Sequence, residues 1–110
     1  NIFNIEFCNQ PFTLMNAGPK FQFNEAISFV VHCDDQNEVD YYWQQLTAHG
    51  GQESMCGWLK DPFGVSWQVV PRELVALLNS SDSQANERAL QAMLTMKKLD
   101  ITLLRKAHSN

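Results

Sequence analysis

No apolar run in this chain approaches the roughly 20 residues a helix needs to cross a bilayer, and no secretory signal precedes its first strand-like segment. A soluble, cytoplasmic protein is therefore expected, with no membrane partner. Basic residues are scarce too. The 8 Lys and Arg stand against 12 Asp and Glu, giving a formal net charge of -4 and a sequence pI near 5.2. Without a Lys/Arg cluster nothing is present to neutralise a row of phosphates, which argues against nucleic acid as a partner. Lys97-Lys98 reads as the solvated face of a helix. The three cysteines, Cys8, Cys33 and Cys56, are irregularly spaced, form no C-x-x-C pair and have no His-rich neighbourhood, so a reduced, intracellular setting is expected. Glycine is limited to 5 residues, and none builds a strand-to-helix turn of the kind that seats a nucleotide or S-adenosylmethionine. There is no internal repeat and no low-complexity segment.

What remains is a globular chain of 110 residues, 45% hydrophobic, which is enough for one domain with a real core and too short for two. It begins at Asn1, directly inside a strand-like run, and this suggests a processed, cloned or incomplete chain.

The most informative stretch is Cys56 to Pro71, C-G-W-L-K-D-P-F-G-V-S-W-Q-V-V-P. Two apolar runs flank Asp61-Pro62-Phe63-Gly64, where Pro62 presets φ for a turn and Gly64 gives the freedom to close it, so a β-hairpin is predicted. Its second arm alternates. Val65, Trp67 and Val69 fall on one face and Ser66, Gln68 and Val70 on the other, as expected of a strand with a core on one side and a cavity on the other.

Around it, Ile2 to Phe7 and Phe12 to Met15 read as short antiparallel strands joined through Cys8-Asn9-Gln10-Pro11, and Asn16 to Glu25 as a connecting loop. Ala26 to Cys33 is a strong strand, with Ile27, Phe29 and Val31 facing one way and Ser28, Val30 and His32 the other. Asp35-Gln36-Asn37-Glu38 has the form of a capping box, and Val39, Tyr42, Trp43 and Leu46 follow at helical spacing, so a helix should run to about His49 and stop at Gly50-Gly51. Gly51 to Trp58 fits either one short strand or two. After Pro71 come a short helix at Arg72 to Leu78, a longer one capped near Ser83 with Ala89, Leu90, Met93, Leu94 and Met96 as its apolar stripe, and a last helix capped by Asp100. In that last helix Arg105 and Lys106 fall in the final turn, where the macrodipole favours cations.

The hairpin sequence, preceded by A-I-S-F-V-V-H-C-D-D and followed by A-M-L-T-M-K-K-L-D-I-T-L-L, and N-A-G-P-K-F at Asn16 to Phe21, together resemble the PhnB-like branch of the vicinal oxygen chelate superfamily, which groups glyoxalase, bleomycin-resistance and extradiol dioxygenase folds. Proteins of this branch often carry the label 3-demethylubiquinone-9 3-methyltransferase. The resemblance implies an α+β fold of paired βαβββ modules, glyoxalase-like, wrapped around a pocket. Residues 1 to 16 would be the last two strands of a first module truncated at its N-terminus, residues 26 to 71 the second module, and residues 72 to 110 a helical tail. The truncation leaves a sheet edge and an apolar face that upstream residues are expected to cover, as in the intact family domain, with exchange of elements between protomers as the alternative; a homodimer is expected as well.

In metal-dependent members each module contributes a His from its first strand and a Glu from its last. The resemblance places Ser28 at the first position and Gln68 at the second, neither a good ligand for zinc or a transition metal. No metal and no cofactor is therefore expected in this chain, and Ser28 with Gln68 would instead hydrogen-bond a small-molecule ligand. Ser66, Trp58, Cys56, His32 and Asn16 complete the candidate pocket residues. Each has a plainer role: Asn16 as a turn former, His32 as a surface histidine beside two aspartates, Cys56 as a small core hydrophobe, Trp58 and Trp67 as packing residues, Ser28 and Gln68 as polar groups satisfied internally. Catalytic residues are not assignable. Three functions fit: a small-molecule-binding protein of unassigned reaction, a metal-dependent enzyme drawing its ligands from the missing module, or a dimeric interaction protein whose pocket is filled by its own side chains.

Overall fold

The computed structural model describes residues 1–110. Two antiparallel strands, β1 (Ile2–Phe7) and β2 (Gln10–Met15), form a separate hairpin. Its two-residue turn is Cys8–Asn9, both at positive φ, so β2 starts two residues earlier than expected and Pro11 lies inside it. A proline is tolerated there because this two-stranded ladder has only edge strands.

The second sheet contains β3 (Phe29–Cys33), β4 (Gln52–Glu53), β5 (Trp58–Lys60) and β6 (Ser66–Pro71), in the order β3-β6-β5-β4. β3 runs parallel to β6 and the other pairs are antiparallel. With helix α1 (Gln36–Thr47) between β3 and β4, this is a complete βαβββ unit, and Gly51 to Asp61 holds two strands. β3 begins at Phe29, not Ala26, because the Asn24 carboxamide oxygen accepts the Ala26 N–H at 2.9 Å and turns the chain before the ladder starts. Ser28 therefore precedes the strand.

α1 forms for the reasons its sequence gives. Asp35 caps it by accepting the Glu38 N–H at 2.9 Å, while the Glu38 carboxylate accepts from Asp34 N–H, one residue upstream of the usual reciprocal partner. Val39 and Trp43 are buried against the sheet with Cys33, Leu59 and Val69. The helix ends at Thr47, and the turn that follows uses His49 and Gly50 at positive φ.

The tail folds as α2 (Arg72–Leu78), α3 (Ser83–Met93) and α4 (Ile101–Ser109). Asp82 and Asp100 cap the last two through the Ala85 and Leu103 N–H groups. Leu74, Leu99 and Leu104 make a second core, against which Val70, Leu77 and Met93 pack. Val70 and Val69 are successive residues of β6, so that strand carries one core on each face. In α4 the last turn holds Lys106 and His108, whereas Arg105 reaches across to the Glu73 carboxylate of α2.

The D-P-F-G turn is fixed by one side chain. The Asp61 carboxylate accepts the N–H groups of Phe63 and Val65 at 2.9 and 3.0 Å through one oxygen and the Trp67 indole N–H at 3.0 Å through the other. Asp61→Ala removes all three hydrogen bonds at once. It should lower stability by about 2–3 kcal/mol, read as a lower denaturant midpoint, and an unchanged midpoint would show that the turn holds without them.

Candidate functional site

β6 sits inside the four-stranded sheet, so Gln68 has neighbours on both sides: Val30 on β3 and Trp58 on β5. Its side chain lies on the face opposite Val69 and α1. There the Gln68 Nε2 donates to Ser28 Oγ at 2.9 Å. The two residues are 40 positions apart and both are half-buried. The pair is held from opposite directions. β6 fixes Gln68 through its ladder, and the Asn24 turn delivers Ser28 just ahead of β3.

The pair uses only part of its hydrogen-bonding capacity. A serine hydroxyl offers one donor and two acceptor lone pairs, and a glutamine amide offers two N–H donors and a carbonyl. With one amide N–H spent on Ser28 Oγ, the Ser28 proton, the Gln68 Oε1 and the second amide proton stay free for another molecule. All of these groups are uncharged. No three His, Cys, Asp or Glu side chains converge anywhere in the chain in a way that could hold a metal ion. Ser28 and Gln68, as a hydroxyl and an amide bonded to one another, do not fit a divalent ion in the positions where metal-dependent proteins would need imidazole and carboxylate.

The other expected site residues are divided among several places. Trp58 stands directly across from Gln68 on β5 and, with Cys56, lines an open groove of about 550 Å³ that Glu25, Glu53 and Lys60 also border. Cys56 is not on the hairpin arm. It lies in the turn before β5 at φ 60°, where its N–H bonds the Met96 carbonyl at 2.7 Å. Ser66 is buried two residues before Gln68 on the same strand, opposite Lys60. His32 is exposed on β3, at the outer edge of the sheet, in a separate groove of about 620 Å³ walled by Phe7, Phe12, Tyr42 and Trp67. Asn16 closes the open end of the β1–β2 ladder by donating its N–H to the Asn1 carbonyl at 2.9 Å, and makes no hydrogen bond to the other candidates.

Three groups that sequence reasoning did not single out shape this region. The Glu25 carboxylate pairs with Lys60 and is held below the usual carboxylate range, first by the Lys60 hydrogen bond, then by its own backbone N–H. Gln36, at the start of α1, donates to the Leu99 carbonyl at 3.0 Å and accepts the Ile101 N–H at 2.8 Å, fastening the tail to the βαβββ unit. Ser80 Oγ lies 3.0 Å from His108 Nε2 and also bonds Asn86, while Arg88 donates to the Ala107 and His108 carbonyls, so the end of α4 is clasped to α3. Nothing in the spacing of these residues announces contacts across 63, 65 and 28 positions.

A family model described as 3-demethylubiquinone-9 3-methyltransferase matches residues 1–70, the segment that runs from β1 through almost all of β6. Among solved structures, the PhnB protein from Bacillus cereus, which carries the same methyltransferase name, is similar at 29% identity with a TM-score of 0.51. That match covers 57% of this chain and 57% of the relative, so the likeness spans little more than half of either protein. No curated protein matches the chain.

The cysteines differ sharply in accessibility. Cys8 is exposed at the tip of the β1–β2 turn and Cys33 is buried beside α1. The Cys33 thiol is pushed up to about 11, by burial first and then by the nearby carboxylates of Glu38, Asp34 and Asp35. At pH 8, alkylation of the native protein is expected to mark Cys8 and spare Cys33, checked by peptide mass mapping. A thiol whose folded pKa lies above its unfolded value of about 8.5 stabilises fully below that pH and loses the contribution as pH rises through about 11. The denaturant midpoint should therefore fall across that window, and a Cys33→Ala variant should lose that part of the slope.

Proposed function

The chain belongs to the 3-demethylubiquinone-9 3-methyltransferase family, in its PhnB-like branch, and from that premise we propose that it binds an uncharged small molecule on the polar face of its four-stranded sheet, with the vicinal oxygen chelate architecture and as a homodimer. The observation that carries this reading is the Gln68 to Ser28 hydrogen bond. It joins two neutral side chains on a sheet face and leaves a donor from each and an amide carbonyl for a ligand. Such groups orient a hydroxyl or carbonyl compound by hydrogen bonds, and they are poor hosts for an unpaired charge. The family's name describes methyl transfer to a demethylated ubiquinone. A phenolic or quinone-type ring is compatible with this polar pair, but a glycine-rich turn for S-adenosylmethionine is absent from the sequence. The Ser28 and Gln68 donor set does not fit a metal ion, so no step through one is assigned. The two tryptophans leave room for a ligand: Trp67 is held by Asp61 and packs on Phe29 with ring centroids 5.3 Å apart, while Trp58 borders an open groove.

The dimer reading rests on unfilled surfaces. Phe3, Phe7, Leu14 and Met15 of the hairpin are 49 to 70% exposed. The outer edge of β3 has no paired strand. The radius of gyration is 16.5 Å, against about 13 Å for a compact domain of this length. A second copy offers both an apolar hairpin and an open edge to match the first, as a two-fold interface requires.

Two measurements test these statements. In NMR titrations with uncharged fragments bearing a hydroxyl or carbonyl, the Gln68 side-chain amide should shift, and Gln68→Leu should weaken binding about tenfold. Equal affinity in the variant would remove the pair from the site. In sedimentation velocity the chain should run as a dimer and Phe12→Lys as a monomer. A native chain that stays monomeric at high micromolar concentration would rule out the assembly.

A further inference from the structure

We propose that Phe23 to Ser28 is a strap across the polar face of the four-stranded sheet, held by two polar fastenings and poised to open over Ser66. The segment is neither helix nor strand; it turns at Asn24 and leads into β3. Its two fastenings fall at neighbouring positions of the sheet. Lys60 on β5 is the register partner of Ser66 on β6, and Gln68 is two residues further along the same face. The Glu25 carboxylate pairs with the Lys60 ammonium, and Ser28 Oγ accepts from Gln68 Nε2 at 2.9 Å. Between these points Ser66 is 1% exposed, and Phe23, Asn24, Ala26 and Ile27 of the strap line one cleft with it.

What holds the strap down is weak. An ion pair whose side chains are 38% and 60% exposed gains little in water and is screened by salt. The Ser28–Gln68 bond joins neutral groups, and its net worth is small because each can bond water instead. Apolar burial adds little, since Phe23 is 67% exposed and Ile27 74%.

One group beneath the strap favours its opening. Ser66 Oγ is buried with no hydrogen-bond partner in the protein, which is unfavourable relative to a hydroxyl in contact with water. Lifting the strap exposes that hydroxyl and releases Ser28 and Gln68 from one another at the same time. The open population is therefore set by the Glu25–Lys60 pair, the one fastening that charge and salt can change. The device goes beyond the binding reading given above. It governs access to the same face, but its opening is read without any ligand, so its failure would leave that reading standing.

Ser66→Cys puts a thiol under the strap, and two native cysteines bracket its reactivity, Cys8 exposed and Cys33 buried. Labelling by iodoacetamide, followed by peptide mass mapping, reads the open population at position 66. Its rate there should lie between those of Cys8 and Cys33. Adding Glu25→Gln should raise it about threefold at low salt and leave Cys33 unchanged. High salt should bring the Ser66→Cys chain toward the same rate and do little once the ion pair is gone. A second readout keeps the natural Ser66: the Gln68 side-chain amide resonances should move with salt in the native chain and stay in place in Glu25→Gln. Equal rates at position 66 with and without Glu25→Gln overturn the inference. So does a parallel rise at Cys33, which would report unfolding of the whole sheet. Should Ser66→Cys fail to fold, the Gln68 amide decides alone, and a signal in the native chain that ignores salt overturns the strap.

Discussion

Strand β6 is packed from both sides, and this constraint organises the molecule. Val69 enters the core that α1 closes, and Val70 enters the core of the helical tail. Val69 is buried and Val70 half-buried on opposite faces because successive side chains alternate and both faces of the strand are covered. The pairing of β6 with β3 and β5 sets where Gln68, Ser66 and their neighbours stand. The polar face of β6 is thus not an open surface along its whole length. The tail covers the Val70 end, the Asn24 turn and Ser28 approach the other, and Gln68 lies between.

The junctions that keep the tail in that position are polar and few. Gln36 joins α1 to the Leu99–Ile101 backbone, and the turn before β5 bonds Met96 and Lys97 through the Cys56 and Gly57 N–H groups at 2.7 and 2.8 Å. Gly57 is required there on two counts. Its φ is +83°, and a Cβ would meet the Val69 carbonyl and a Leu99 methyl at 3.0 Å. The tail is therefore seated on the sheet by directional contacts as well as by its leucines, and a shift of the tail would break them together. The surface ion pairs Arg105–Glu73, Lys98–Asp40 and Arg72–Asp34 are more exposed and contribute less to that geometry.

Much of this was legible in the residues. The capping box and the spacing of Val39 and Trp43 located α1, and the alternation after Asp61-Pro62-Phe63-Gly64 assigned the α1 face of β6 to Trp67 and Val69. The family resemblance, with its α+β and PhnB-like consequences, came from that stretch together with its flanking segments and Asn16 to Phe21, and agrees with the match over residues 1–70. The failures have physical causes. β4 and β5 are two and three residues long, too short for a period to register. Ser28 reads as a strand residue because Ala26 to Cys33 is β-prone, but the Asn24 side chain takes the Ala26 N–H first. Gln68 and Ser28 were placed together by the resemblance, whereas Ser66 as an orphan beneath the 22–27 segment depends on a chain crossing that no local pattern encodes.

The chemistry of the polar face follows from what its residues cannot do. A hydroxyl and an amide cannot change charge near neutral pH, so a proton taken from a ligand would have to come to rest elsewhere. Two nearby charged groups in sequence are already paired: Glu25 with Lys60, and Asp61 with the hairpin turn and Trp67. His32 stands at the outer edge of β3 in a different groove. The Gln68–Ser28 pair therefore offers hydrogen bonds without charge. Neither side chain of the Gln68–Ser28 pair is itself a general acid or base at neutral pH. The unpaired edge of β3 and the exposed hairpin meet at that second groove, where Phe7 and Phe12 stand beside His32, so the apolar surface and the histidine lie away from the Gln68–Ser28 pair.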